Sequence, residues 1–160
     1  MNIRPASEND LPLVLDLNTA AIPHVSEVDL VDMKRFLKQA DPFLVVEKEG
    51  EIAGFMIILQ KGLEYDSLNY KFFCNNYEDF DYVDRIVIGE NFRSKKLGSS
   101  LYNYLFQNSD KKNVTCEINI KPPNKNSMVF HKALGFNKVA EQVTEGGKKS
   151  VAMMVKELKV

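Results

Sequence analysis

One stretch of the sequence constrains the fold more than any other. It is an alternating, β-branched segment at residues 82–88, followed by a short basic loop and an amphipathic segment at residues 98–108. The alternation predicts a strand, and Leu101 and Leu105 recur at helical spacing, so the order is strand, loop, helix. Another β-branched segment at residues 114–120 predicts a strand after the helix. Because such a crossover joins parallel strands, part of the sheet is expected to be parallel.

The segments before this unit predict an antiparallel start to the sheet. Residues 43–48 and 52–59 are strand-like and flank the turn residues Glu49 and Gly50, which indicates a hairpin. Residues 61–79 are irregular and rich in Tyr, Phe and Asn, which is typical of a functional loop or of a loop that carries a short helix.

The remaining segments complete the predicted order of elements. They are a strand at residues 3–5, a helix opened by Ser7 with Asp10 as a capping box, a helix opened by Ser26, a helix over residues 124–134 that stops at Gly135, and strands at residues 136–143 and 150–155 joined through Gly146 and Gly147. In the first helix, Asn18 is the one polar residue on an otherwise apolar face. We expect an α/β (mixed α+β) fold with a central mixed, partly antiparallel sheet of about seven strands flanked by about four helices.

Length and composition narrow the class of protein. The 160 residues fit a single domain over residues 1–160. No apolar run approaches the roughly 18 residues that span a bilayer, and no signal-peptide pattern opens the chain, so we expect a cytoplasmic protein with no membrane partner. The net charge of -1 argues against a nucleic-acid partner. Cys74 and Cys116 are interpreted as reduced thiols, and His24 and His131 have no metal-ligand spacing, so no metal is expected.

The basic loop has the composition of an anion-binding site. Arg93, Lys95 and Lys96 supply positive charge, Gly98 removes a side chain at the start of the helix, and Ser99 adds a hydroxyl donor. A helix N-terminus also presents unpaired backbone N–H groups and the positive end of its dipole. The loop lacks the P-loop ending and the three glycines of the dinucleotide fingerprint. The residues alone therefore leave two alternatives open, a pyrophosphate site and a basic turn that caps a helix.

The same loop resembles the coenzyme-A loop of the GNAT superfamily of N-acetyltransferases, Arg/Gln-x-x-Gly-x-Gly/Ala. Arg93 and Gly98 match the ends of that pattern, and Lys96 stands where its first glycine usually is. Residues 124–136 resemble the superfamily's Asn-x-x-Ala-x-x-Phe-Tyr-x-x-Leu-Gly-Phe helix, and residues 45–55 resemble its early strands. A closer likeness is to an uncharacterised group of predicted bacterial acetyltransferases. It is carried by residues 65–70, 82–86, 116–119 and 122–124 and by Phe130 with His131.

The resemblance implies that acetyl-CoA (coenzyme A) binds in a V-shaped opening between the strands at residues 82–88 and 114–120. The pantetheine arm would pair with the first strand at Ile86, Val87 and Ile88. The pyrophosphate would rest on the backbone amides of Arg93, Ser94, Lys95, Lys96, Leu97, Gly98 and Ser99. Asn124, Ser127 and Phe130 of the last helix would complete the coenzyme-binding residues.

The implied chemistry is direct attack of a neutral amine on the thioester, which requires a base to remove a proton. Tyr82, Asp84 and Ile86 share a strand face. Asp84 is the first candidate for the base or for an amine-binding anion, and Glu117 is the second. An ion pair between Asp84 and Arg85 or a lysine is the structural alternative.

Other residues are assigned roles with alternatives left open. His131 replaces a tyrosine that protonates the leaving thiolate in the superfamily; a structural histidine is the alternative, and Tyr82 is another donor. Cys116 is interpreted as a buried strand cysteine and not as a nucleophile. The predicted acceptor-binding residues are Tyr65, Asp66, Asn69 and Tyr70, whose aromatic rings and carboxylate suit a small cation. A satellite core under a long loop is their alternative.

The predicted function is transfer of an acetyl group from acetyl-CoA to a primary amine of an unidentified acceptor, with a small-molecule amine favoured. The alternatives are acetylation of a protein or peptide and a non-catalytic acyl-CoA-binding sensor. The protein is expected to be a monomer or a homodimer, and the last strand is a candidate edge for pairing two copies.

Overall fold

The computed structural model describes residues 1–158 and has the mixed α/β architecture expected. Its strands are β1 (Asn2–Pro5), β2 (Phe43–Lys48), β3 (Glu51–Leu59), β4 (Phe80–Ile88), β5 (Asn113–Lys121), β6 (Asn137–Thr144) and β7 (Lys149–Glu157). Its α-helices are α1 (Leu11–Ala21), α2 (Leu30–Gln39), α3 (Leu68–Asn76), α4 (Leu97–Asn108) and α5 (Lys125–Ala133). The described part of the chain thus has five α-helices where about four were predicted, because α3 forms within the irregular segment.

The strands lie in the order β1-β2-β3-β4-β5-β7-β6, which confirms the predicted sheet of seven strands. The hairpin of β2 and β3 is antiparallel, with Val45 opposite Phe55. The pairing of β4 with β5 is parallel, and Tyr82 lies opposite Thr115. β7 pairs antiparallel with β5 on one side and with β6 on the other. The last strand is therefore interior, so its prediction as a pairing edge is wrong; the edges are β1 and β6.

The chain divides into two compact units. One contains residues 1–59 and 85–109, and the other contains residues 60–84 and those from 110 onward. The first has a core of fully buried side chains that includes Leu11, Met33, Phe36, Phe55, Leu101 and Tyr102. The core of the second includes Tyr70, Phe73, Tyr82, Val114, Phe136 and Met153. β4 contributes residues to both units, and the division falls between Asp84 and Arg85.

The start of the first helical segment confirms the capping box predicted at Ser7. The Asp10 carboxylate accepts from the Ser7 backbone N–H at 2.7 Å. It also accepts two hydrogen bonds from the Arg4 guanidinium, at 2.8 and 3.0 Å. Arg4 in turn contacts Glu47 of β2 at 2.8 Å. The hydrogen bonds from Arg4, which is the largest cause, lower the pKa of the Asp10 carboxyl from 3.8 to about 2.

This shift predicts a loss of stability in acid. Because the folded pKa of Asp10 lies below its unfolded value, its contribution is complete above about pH 4 and is lost as the pH falls toward about 2. The contribution is on the order of 2 kcal/mol. Urea unfolding measured from about pH 5 to about pH 2.5 should show a steeper decline for the wild type than for Asp10→Asn. Asp16→Asn, which changes an exposed carboxylate of α1, is the control, and parallel curves for wild type and Asp10→Asn would contradict the assignment.

The second helix begins later than the sequence indicated. It starts at Leu30 and is capped by Asp29, whose side chain accepts from the Asp32 N–H at 2.8 Å while Asp32 reaches back to the Asp29 N–H at 2.9 Å. The prediction that Ser26 opens this helix is wrong. Its hydroxyl and carbonyl are instead bound by Arg85, as described below.

Candidate functional site

The loop between β4 and α4 lies in the first unit and has an irregular backbone held at its start. The Gly89 N–H donates to the carbonyl of Ala53 on β3 at 2.7 Å, and a single 3₁₀ turn follows at Glu90–Phe92. Ser94 and Lys96 both have left-handed backbones, with φ of 64° and 62°. Lys96 thus adopts the conformation that favours glycine, at the position where the GNAT loop usually has glycine.

The N-terminus of α4 supplies the features of an anion site. Lys96 is its N-cap residue, and the first intrahelical bond runs from the Ser100 N–H to the Lys96 carbonyl at 3.1 Å. The backbone N–H groups of the first turn therefore precede the intrahelical ladder and point out of the helix end. The side chains of Arg93, Lys95 and Lys96 are exposed around this end. The amides, the dipole and the three cations suit the pyrophosphate of coenzyme A.

The second half of β4 lies directly before this loop. Ile86 and Ile88 are half-buried, and Val87 is buried. A methyl group added at Gly54 of β3 would lie 2.6 Å from the Val87 carbonyl oxygen, a distance that forces the backbone to shift. Gly54 therefore lets β3 lie close to the part of β4 that is predicted to pair with the pantetheine arm.

The second unit holds a cluster of phenols and carboxylates. The Tyr82 hydroxyl lies 2.7 Å from each oxygen of the Glu117 carboxylate and donates its single proton there. The Tyr65 hydroxyl donates to Oδ1 of Asp84 at 2.5 Å. We name these four residues the phenol–carboxylate cluster. Asp84 and Glu117 are half-buried, whereas Tyr82 is wholly buried.

The other three members of the cluster affect the pKa of the Tyr82 phenol. Burial is the largest cause that raises the pKa of the Tyr82 phenol well above its ordinary value. The charges of Glu117 and Asp84 and the neighbouring Tyr65 raise it further. Tyr82 therefore keeps its proton at neutral pH and acts as a hydrogen-bond donor to Glu117.

Tyr70 supports this cluster from α3. Its hydroxyl donates to the Gln60 carbonyl at 2.5 Å and accepts from the Leu63 N–H at 2.9 Å. Its ring meets the rings of Tyr65 and Tyr82 edge to face, with centroids 5.5 and 5.4 Å apart. Burial raises the pKa of the Tyr70 phenol to about 12. Tyr70 was predicted to bind the acceptor through its aromatic ring; its hydroxyl bridges two backbone groups.

Two of the predicted acceptor-binding residues lie apart from the cluster contacts. The Asp66 side chain is 97% exposed and pairs with Lys71 at 2.8 Å. Asn69 accepts a hydrogen bond from the Gln142 amide of β6 at 2.7 Å. Asp66 therefore faces solvent, and Asn69 connects α3 to the edge strand.

The predicted residues of α5 form a third group. Asn124 caps the helix and accepts from the Ser127 N–H at 3.2 Å. The buried His131 has Nδ1 2.8 Å from the Ser127 carbonyl oxygen, so this ring nitrogen carries a proton and donates. Its ring lies edge to face with Phe130 and Phe136, at 5.1 and 5.4 Å. Burial lowers the pKa of His131, which makes the neutral imidazole the form present at neutral pH.

A buried polar network surrounds Arg85, in the first unit, and was not predicted from the sequence. Its guanidinium donates to Asn18 Oδ1 at 3.0 Å and to the Ser26 carbonyl and hydroxyl at 3.0 and 2.9 Å. It also lies over the Phe36 ring, 5.3 Å from its centroid. Asn18 on an apolar helix face was the available signal, because a buried amide needs a polar partner. Since neighbouring strand residues point to opposite faces, Asp84 and Arg85 serve different clusters.

The remaining predictions concern the cysteines, metal binding and membrane spans. Cys116 is buried on β5, which confirms its predicted place in a strand, and Cys74 is a partly exposed free thiol. Over residues 1–158, no group of three or more His, Cys, Asp and Glu side chains is arranged to hold a metal ion. Within the same residues, every helix is too short or too polar to cross a bilayer.

Three solved structures illustrate which proteins share this fold. The ribosomal-protein-S18-alanine N-acetyltransferase of Escherichia coli superposes with a TM-score of 0.74 at 15% identity, over 99% of this chain and 94% of that one. Ard1 of Thermoplasma volcanium gives 0.79 at 16%, over 98% and 96%. YncA of Salmonella typhimurium, solved with its cofactor acetyl-CoA, gives 0.74 at 19%, over 100% and 95%. No curated protein is significantly similar to the chain in sequence.

The mixed sheet and the exposed cations at the start of α4 are features expected of an acyl-CoA-dependent transferase. Residues 12–136 match the sequence model of the Acetyltransferase (GNAT) family. The chain therefore belongs to the GNAT family and is an N-acetyltransferase that uses acetyl-CoA. This removes the non-catalytic sensor as an alternative.

Proposed function

We propose that the protein transfers an acetyl group from acetyl-CoA directly to a primary amine of a small-molecule cation. In this proposal the chain is a single domain and works in the cytoplasm. The observation that carries this proposal is the phenol–carboxylate cluster. Its two half-buried carboxylates are held by phenols and lie among aromatic rings. Such an environment attracts an ammonium group by charge and by cation–π contact.

The pyrophosphate and the pantetheine arm of the coenzyme are assigned to residues of the first unit. The amides at the start of α4, with Arg93, Lys95 and Lys96, hold the pyrophosphate, and the backbone of residues 86–88 pairs with the pantetheine arm. The left-handed backbone of Lys96 supports this role, because it gives the loop the path that a glycine would give. Asn124, Ser127 and Phe130 of α5 remain proposed coenzyme contacts.

The chemistry is assigned to the second unit. Acetyl-CoA supplies the thioester, whose carbonyl carbon forms a bond to nitrogen as its bond to sulfur breaks. Asp84 binds the ammonium group and accepts the proton that the amine must lose before it attacks. Glu117 is the second candidate for this step. Tyr82 or His131 returns a proton to the thiolate. The retained proton of Tyr82 supports a donor role for its phenol. The Nδ1 proton of His131 is engaged by the Ser127 carbonyl, so His131 would donate from Nε2 after taking up a proton there.

Acetylation of a protein or peptide amine is the second candidate function. It is supported by the E. coli structure, whose name gives a ribosomal protein as the acceptor. Asp66, Asn69 and Tyr65 could then contact an acceptor that extends along α3. The small-molecule acceptor remains favoured, because each carboxylate accepts from a phenol, and the two phenol rings both pack against the ring of Tyr70.

The test is release of free thiol from acetyl-CoA in the presence of two acceptor panels. One panel contains amino acids, polyamines and aminoglycosides, and the other contains peptides with a free N-terminus or an internal lysine. Turnover with small amines alone supports the proposal. Turnover with peptides alone supports the second candidate, and turnover with neither contradicts both.

A further inference from the structure

The Tyr65 hydroxyl donates a hydrogen bond to the carboxylate of Asp84, the proposed base. The hydroxyl lies 2.5 Å from Oδ1, within the range of an O–H···O hydrogen bond to a carboxylate. A hydrogen bond to an ionised acceptor is strong and directional, so it fixes the rotation of the Asp84 carboxylate. A general base must present a particular oxygen to the proton that it removes, so this rotation matters for the reaction.

The backbone of Tyr65 is held on both sides. After it, the Ser67 N–H donates to the Tyr65 carbonyl at 3.0 Å, and the Ser67 hydroxyl caps α3 by accepting from the Tyr70 N–H at 3.2 Å. Before it, the Leu63 N–H donates to the Tyr70 hydroxyl at 2.9 Å. Tyr65 therefore lies in a short segment whose two ends are both fastened to α3.

The rings complete this support. Tyr65 packs edge to face on Tyr70 with an interplanar angle of 62°, and Tyr70 packs on Tyr82 at 63°. Edge-to-face contacts of this kind restrict the rotation of each ring. The Tyr65 side chain thus reaches Asp84 from a direction that α3 sets.

We propose that Tyr65 is a positioning residue for acetyl transfer: its hydroxyl holds the Asp84 carboxylate in the orientation that accepts the proton from the amine. Tyr70 holds Tyr65 in place in two ways: its hydroxyl bonds to the loop backbone at Leu63, and its ring packs against the Tyr65 ring. This inference rests on the proposed role of Asp84. It gives Tyr65 and Tyr70 a different role from the direct acceptor binding that the sequence predicted.

The first test is Tyr65→Phe, which removes the hydroxyl and keeps the ring that packs on Tyr70. With the acceptor found in the thiol-release screen, kcat should fall about 10- to 100-fold, the effect of losing a hydrogen bond to a charged group. The acceptor KM and the Kd of acetyl-CoA should stay within about twofold of the wild-type values. Tyr77→Phe is the matched control, since Tyr77 packs on the same helix against Phe73, at 5.9 Å, and its change should leave kcat unaltered.

The second test is a double-mutant cycle. If Tyr65 acts through Asp84, Tyr65→Phe should lower kcat no further in an Asp84→Asn background. Tyr70→Phe should lower kcat in the same direction, with thermal melting used to confirm that the variant is folded. Independent, multiplicative losses from Tyr65→Phe and Asp84→Asn would overturn the inference.

The outcomes separate this inference from the function on which it rests. A raised acceptor KM with unchanged kcat in Tyr65→Phe would show that Tyr65 contacts the acceptor and would overturn the positioning role. Wild-type kcat in Tyr65→Phe with a large loss in Asp84→Asn would also overturn it and leave the function intact. Wild-type kcat in Asp84→Asn would instead remove the proposed role of Asp84.

Discussion

Replacing Asp84 with asparagine is expected to lower kcat about 10²- to 10⁴-fold, the range that general base catalysis contributes. Asparagine has nearly the same shape and can still accept the hydrogen bond from Tyr65, but it cannot accept a proton from the amine. Because Asp84 is not among the residues proposed to bind the coenzyme, the Kd of acetyl-CoA should stay close to its wild-type value. Steady-state thiol release and calorimetric titration with acetyl-CoA measure the two quantities separately.

Two companion variants make this result specific. Glu117→Gln tests the other carboxylate of the cluster, and the larger loss of kcat identifies the base. Asp110→Asn removes an exposed carboxylate of the same unit and should leave kcat unchanged. Equal activity of Asp84→Asn and wild type would assign proton removal elsewhere, with Glu117 as the next candidate.

Replacing Gly98 with tryptophan is expected to raise the Kd of acetyl-CoA about 100-fold or more, equivalent to about 3 kcal/mol of binding. Gly98 is the second residue of α4, in the turn whose amides are proposed to hold the pyrophosphate. A bulky side chain at this position obstructs the approach of an anion to the backbone. Arg93→Ala should weaken binding in the same direction by removing one cation. Calorimetric titration with acetyl-CoA and with CoA measures both effects.

The matched control for this loop is Lys96→Gly. Glycine releases the strain of the left-handed backbone, about 1 kcal/mol, but adds a comparable entropy cost in the unfolded chain, so the melting temperature should change little. One exposed cation is lost, and the Kd of acetyl-CoA should rise less than about tenfold. If Lys96→Gly weakens binding as strongly as Gly98→Trp, the ammonium of Lys96 and not the helix amides is the main anchor.

Most of the fold could be predicted because its local signals agree with its tertiary structure. β2 and β3 are strand-like runs on either side of a turn, and α5 ends just before Gly135, which has a φ of 97°. The start of α2 could not be predicted correctly, because it depends on a tertiary contact. Ser26 and Asp29 are both good caps, and only the distant Arg85 decides between them by binding Ser26.

The candidate site was predictable only in part. The cations and glycine of the coenzyme loop are neighbours in sequence, so their pattern was visible before the structure. The cluster joins Tyr65, Tyr82 and Glu117, which are up to 52 residues apart in the chain, and its hydrogen bonds depend on the pairing of β4 with β5. Tyr70 was assigned to the acceptor because sequence shows that a residue has an aromatic ring but not which groups that ring packs against.

The two edges of the sheet have a consequence for how the protein behaves at high concentration. β1 has only four residues and ends in Pro5, and β6 has a register shift between Lys138 and Ala140 that interrupts its ladder. Lys138 forms an ion pair with Glu141 along that same strand. Short, proline-bearing, bulged and charged edges are poor templates for an added strand. The folded chain is therefore protected against growth into β-aggregates from either side, and crowding or overexpression should not by itself start fibril formation at the sheet edges.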